Sequence, residues 1–126
     1  QAWGEIVALG AAIDWLNSRT KADKENLEHC EKKLFDFLKG QKHLHLINKA
    51  PASTMSFYVD KKEVGFDSHT LGAALADEGI MARTGYFCVH YYLDHVKHYP
   101  PLVRFSLGYH TRESDIDRVI DILKKI

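Results

Sequence analysis

Between Leu102 and Ile126 the apolar residues change period partway, and few folds accommodate that change. Val103, Phe105 and Leu107 alternate with Arg104 and Ser106, the spacing of a half-buried strand. Ile116, Val119, Ile120, Leu123 and Ile126 then recur at helical spacing. A strand followed at once by an amphipathic helix buries both apolar faces only if the helix lies on the sheet. Pro100-Pro101 stops any structure before the strand, and Arg104 points away from its apolar side. Thr111 is placed to cap the helix, with Glu113 and Asp115 in its positive first turn and Lys124 and Lys125 at its negative end.

The remaining segments read in the same terms. Ile6, Leu9, Ile13 and Leu16 predict a helix over about residues 3–18, whose apolar face needs a partner. A second helix is predicted over about 23–39, with Thr20 or Asp23 as N-cap, Leu27, Leu34, Phe37 and Leu38 facing inward and Gly40 at the left-handed C′ position. His43–Ile47 reads as a short strand, and Met55, Phe57 and Val59 alternate with Ser56, Tyr58 and Asp60 as another. After a polar connection at 61–65, Asp67 or Ser68 caps a helix that Gly79 ends, and Ile80 to Arg83 follows as a strand. The order helix, helix, strand, strand, helix, strand, strand, helix predicts an α+β domain: a small, mostly antiparallel sheet covered on one face by helices.

The 126 residues fit one domain, and a 45% hydrophobic content is that of a folded core. Lys plus Arg equals Asp plus Glu at 17 each, so charge gives no reason to propose a nucleic-acid partner. Two cysteines allow a single disulfide and do not suggest a secreted scaffold, so a reducing cytoplasm is the expected compartment. No apolar run approaches the ~20 residues a membrane-spanning helix needs. The chain opens on Gln1 rather than Met, which suits a segment of a longer protein.

Few residues carry chemistry. Cys88 follows the Thr84-Gly85 turn, where a thiol would be exposed, although spacing alone favours an inert cysteine. Arg104 offers a fork of donors suited to a carboxylate, or to an ordinary surface acid. Arg83 is a second arginine that either supports the site or holds the turn. Cys88, His90, His95 and His98 have donor types suited to zinc, at a spacing that is weak evidence for it. Cys30, between Leu27 and Leu34, reads as core, and His43 and His45 as solvent-side residues without a role.

Gly79-Ile80-Met81-Ala82-Arg83-Thr84-Gly85-Tyr86-Phe87-Cys88 resembles the stretch G-I-x-x-R-T-G-x-x-C in the small C-terminal domain of class V aminotransferase-fold enzymes, in particular the cysteine desulfurase and selenocysteine lyase branch. Arg104-Phe105-Ser106-Leu107 resembles that family's R-x-S-L strand, and Gly10-Ala11-Ala12-Ile13-Asp14-Trp15-Leu16 its interdomain helix. The resemblance implies that residues 1–20 form the interdomain helix and 21–126 the small domain. It implies pyridoxal phosphate (PLP) as cofactor, bound by a large domain whose histidine-lysine motif does not occur in this sequence. It assigns Cys88 as the nucleophile that accepts sulfur, Arg104 as the ligand of the substrate α-carboxylate and Arg83 as a supporting residue. No cofactor-binding residue and no metal ligand is expected in the chain, which alone should be inactive. Expected partners are the large domain, an amino-acid substrate and a sulfur-acceptor protein, with neither nucleic acid nor membrane.

The sequence departs from the best-studied desulfurase pattern on both sides of Cys88. Tyr86-Phe87 stands where two histidines are usual, Val89-His90 where small residues precede a proline, and Tyr109-His110-Thr111 where Tyr-Asn-Thr is usual. Transamination, epimerisation or lyase chemistry with an incidental Cys88 therefore stays open. So do a stand-alone interaction or sulfur-carrier module and a homodimer joined through the apolar face.

Overall fold

A computed structural model describes residues 2–126. Two helices, α1 (Trp3–Asn17) and α2 (Lys21–Gly40), lead into strands β1 (Leu44–Leu46) and β2 (Thr54–Val59). The short helix α3 (Lys61–Val64) and then α4 (Ser68–Asp77) precede β3 (Arg83–Gly85). A π-helical segment (Tyr91–Val96), strand β4 (Leu102–Ser106) and helix α5 (Glu113–Leu123) complete the chain. The strands form one antiparallel sheet in the order β1-β2-β4-β3.

Register sorts the side chains between two faces. Met55 pairs with Phe105, Phe57 with Val103 and with Leu46, and Leu44 with Val59, so these apolar side chains share one face. Against them lie Cys30, Leu34, Phe35 and Leu38 of α2, Leu71 and Leu75 of α4, and Ile116, Val119, Ile120 and Leu123 of α5, which together form the core. This is the α+β architecture expected. Lys33 ties α2 to α5, with Nζ 2.6 Å from Glu113 and 2.7 Å from Asp117.

Local chemistry explains where elements begin and end. The Thr20 hydroxyl accepts from the Asp23 N–H while the Asp23 carboxylate accepts from the Thr20 N–H at 2.8 Å, a reciprocal capping box for α2. The Asp67 carboxylate accepts from the backbone N–H groups of His69 and Thr70 at the start of α4. Gly79 ends α4 at φ +74, with Ile80 N–H donating to Leu75 and Gly79 N–H to Ala76, the two bonds of a Schellman motif.

Four expectations need correction. Gly40 is not left-handed: α2 runs through it to Gln41, whose side-chain amide donates to the Phe37 carbonyl. The strand expected at Ile80–Arg83 starts instead at Arg83, because the Ile80 N–H is taken by the end of α4. The 61–65 connection contains a helical turn, capped by the Asp60 carboxylate, which accepts from the Lys62 N–H at 2.9 Å. Thr111 does not cap α5: its hydroxyl accepts from the Gly108 N–H, and Arg112 holds the cap position, its N–H donating to Asp115.

Helix α1 stands apart. None of its described residues is buried, and Trp3, Ile6, Val7, Leu9, Ile13, Trp15 and Leu16 are all exposed. Trp15 meets Tyr109 edge to face at 6.0 Å between ring centroids, and the Arg19 guanidinium lies over its ring. Helices this apolar are normally covered. None among the described residues is long and apolar enough to cross a membrane.

Candidate functional site

The face of the sheet away from the helices carries the residues of interest. Arg104, in the interior strand β4, pairs with Ser56 on β2 and with Arg83 on the edge strand β3. Directly opposed residues share a face, so both guanidinium groups project from the same side. Arg83 is exposed and Arg104 half-buried. Among the described residues neither has a carboxylate within ion-pair distance or a side-chain hydrogen bond, and the buried Nε of Arg104 has no partner. Two unneutralised arginines side by side, one with an orphaned donor, suit an anion with planar oxygens.

Beyond β3 the chain turns sharply over this face. Val89 N–H donates to the Tyr86 carbonyl at 2.9 Å, closing a four-residue turn in which Phe87 (φ +52) and Cys88 (φ +65) are both left-handed. Those are the φ signs of a type I′ turn. The Phe87 ring lies over Arg104, its centroid 4.9 Å from Cζ. Cys88 is exposed and free, one peptide bond from a ring that touches Arg104. Cys30 is the opposite case, a fully buried thiol whose pKa burial pushes up.

The other candidates fall elsewhere. His95 stacks on Tyr91 beside Asp94, and His90 packs on Tyr86. No group of three or more metal-ligating side chains exists among the described residues, so Cys88, His90, His95 and His98 do not converge as a zinc site. His45, whose sequence position suggests no role, is not isolated. It stacks on Tyr58 at 4.7 Å, with Nε2 3.6 Å from the Asp60 carboxylate, which the Lys62 backbone N–H and then His45 hold below the usual carboxylate range. This pair lines a cavity of about 560 Å³ together with Lys61, Pro100 and Pro101, and the cavity takes in neither Arg104 nor Cys88. Phe87 is the site residue that sequence reasoning missed, because an aromatic beside a cysteine carries no periodic signal.

The fit to substrate and cofactor is unequal. The orphaned Arg104 donor suits a carboxylate. None of the strand positions on this face, at Arg83, Gly85, Leu102, Arg104, Ser106, Thr54, Ser56, Tyr58 and His45, is a lysine that could attach PLP.

The sequence model of the class-V aminotransferase family matches residues 2–119, and the chain belongs to that family. The fold is similar to that of the Escherichia coli cysteine desulfurase CsdA, with a TM-score of 0.79 at 18% identity over 95% of this chain. It is also similar to the cystine C-S lyase C-DES, solved in complex with its product cysteine persulfide, with a TM-score of 0.66 at 20% identity over 90% of this chain. A C-DES variant with glycine covalently linked to its PLP cofactor gives 0.63 at 20% identity over 90% of this chain. The chain spans 29% of the length of CsdA and 27% and 26% of the two C-DES chains. No curated protein sequence matches.

Proposed function

We propose that this chain is the small C-terminal domain of a PLP-dependent enzyme that removes sulfur from cysteine, with residues 1–20 as the interdomain helix and 21–126 as the domain itself. The observation that carries the reading is the pairing of an unpartnered, half-buried Arg104 with an exposed Cys88 through the ring of Phe87.

Arg104 receives the substrate α-carboxylate through its fork of N–H donors, and Arg83 adds positive charge on the open side. Docking the carboxylate on a strand fixed by ladders on both sides orients the rest of the substrate. The Cys88 thiolate attacks the substrate sulfur. A sulfur-sulfur bond forms as the substrate carbon-sulfur bond breaks, giving alanine and a Cys88 persulfide. Cysteine plus thiol equals alanine plus persulfide, so atoms and electrons balance without an outside oxidant. PLP would be held by a large domain outside this chain and, when bound, would supply an electron sink for the reacting substrate. Exposure on a turn lets the persulfide reach an acceptor protein. Without the large domain the chain is inactive, and with it the uncovered face of α1 is buried.

A second reading, a C-S lyase or aminotransferase with an incidental Cys88, is favoured by one observation: Cys88 has no hydrogen-bond partner among the described residues to manage its proton. Turnover of cysteine by the full-length protein separates the two. Alanine as the product, lost in Cys88→Ala while PLP stays bound, supports the desulfurase reading; a keto acid formed in place of alanine, equally by wild type and Cys88→Ala, would favour the lyase or aminotransferase.

A further inference from the structure

Type I′ turns take Asn and Gly at their central positions because both must be left-handed. The Tyr86–Val89 turn has Phe87 and Cys88 there. A bulky side chain keeps such a backbone only where its surroundings hold it. Among the described residues the one aromatic or cation–π contact of the Phe87 ring is with Arg104, 4.9 Å from ring centroid to Cζ. Arg104 is a firm anchor, since its strand is laddered to Ser56 on one side and Arg83 on the other. Arg104 has no other side-chain partner among the described residues, and its Nε is buried and orphaned. Arginine and ring therefore fix one another, and Cys88 takes its place from the residue before it.

We propose that Phe87 is a positioning residue that couples capture of a carboxylate at Arg104 to the release of Cys88 from its turn. The proposal rests on the reading of Arg104 as the carboxylate site. A carboxylate on the guanidinium edge neutralises the charge that attracts the ring face. The ring then loses its hold, Phe87 relaxes toward the negative φ its side chain prefers, and Cys88 gains freedom as the substrate arrives. No covalent bond changes in this step.

The test is the rate at which iodoacetamide alkylates Cys88 in the full-length protein, followed by mass, with and without propionate at constant ionic strength. Propionate has the carboxylate but no amine to react with the cofactor. It should raise the rate about two- to tenfold, the range that an ordinary cation–π contact corresponds to. Phe87→Leu should alkylate fast without propionate and ignore it, whereas Phe87→Gly, which suits the left-handed backbone without a ring, should keep the turn, alkylate at the slow wild-type rate and also ignore propionate. Phe87→Tyr should restore the response, which a merely space-filling role would not require. Propionate affinity is measured separately by calorimetry, in the wild type and in Arg104→Gln. If affinity falls in Arg104→Gln but wild-type alkylation ignores propionate, the coupling is overturned and the Arg104 reading stands. If Arg104→Gln binds propionate as well as wild type does, both are overturned.

Discussion

Gly72 on α4 faces Thr84 on β3 so closely that a Cβ at position 72 would lie 2.3 Å from Thr84 Cγ2. The missing side chain lets the helix press onto the strand that carries Arg83 and leads to Cys88. His69, one turn earlier on α4, adds a 2.9 Å hydrogen bond to the Thr84 hydroxyl. Helix position and strand position are thus set together.

Gly72→Ala should therefore destabilise the chain by about 1–3 kcal/mol, the usual cost of forcing a methyl into a filled contact. The midpoint of urea unfolding measures it. Gly72→Ala paired with Thr84→Ser, which removes the clashing methyl, should recover much of the loss. An unchanged midpoint in Gly72→Ala would mean that α4 and β3 are not pressed together.

The tie between α2 and α5 should fail in acid. Hydrogen bonds from Lys33 and then His29 hold the Glu113 carboxyl below its ordinary value of 4.5. A lowered folded pKa contributes stability that is complete above 4.5 and is lost as pH falls through the lower folded value. Asp117 and then Glu113 raise the Lys33 pKa above its ordinary 10.5, so its share is complete below 10.5 and lost as pH rises beyond the raised value. Lys33→Met should flatten both limbs of a plot of unfolding midpoint against pH. The same acid limb in wild type and Lys33→Met would place the titration elsewhere.

The two thiols should label at rates at least about a hundredfold apart, since a fully buried group reacts only when the structure opens. Cys88 should label first, and Cys30 only under unfolding conditions. Peptide mapping after brief alkylation distinguishes them. Comparable labelling of both would contradict the packing of α2.

Trp3 and Trp15 lie on α1 at 66% and 49% exposure, so both should be open to acrylamide in this chain. In the full-length protein, a large domain covering α1 should shield them and move their emission to shorter wavelength, read with tryptophans outside this chain replaced. Equal quenching in both forms would mean that α1 stays uncovered.

Much of this architecture is legible in the residues. Val103 and Phe105 alternate where β4 lies, Asp67 caps α4, and Gly79 ends it, because each depends on a local rule acting over a few positions. What was misplaced depended on competition for hydrogen bonds. Ile80 gives its N–H to the helix behind it and so cannot open a strand, Gln41 relieves Gly40 of a left-handed role, and the Thr111 hydroxyl is taken by Gly108. The candidate site divides the same way. Arg104 and Cys88 could be picked out by residue type and resemblance, and Arg104's face followed from the period of β4. The ring of Phe87 between them could not, since it reaches Arg104 through a turn that no alternation announces.

The most direct measurement is the mass of the Cys88 peptide after the full-length, PLP-loaded protein has been given cysteine and then trapped with an alkylating agent before reduction. The expected result is a gain of one sulfur atom on Cys88, none on Cys30, and an equivalent of alanine released. Steady alanine formation with Cys88 never carrying sulfur would contradict its assignment as the sulfur acceptor.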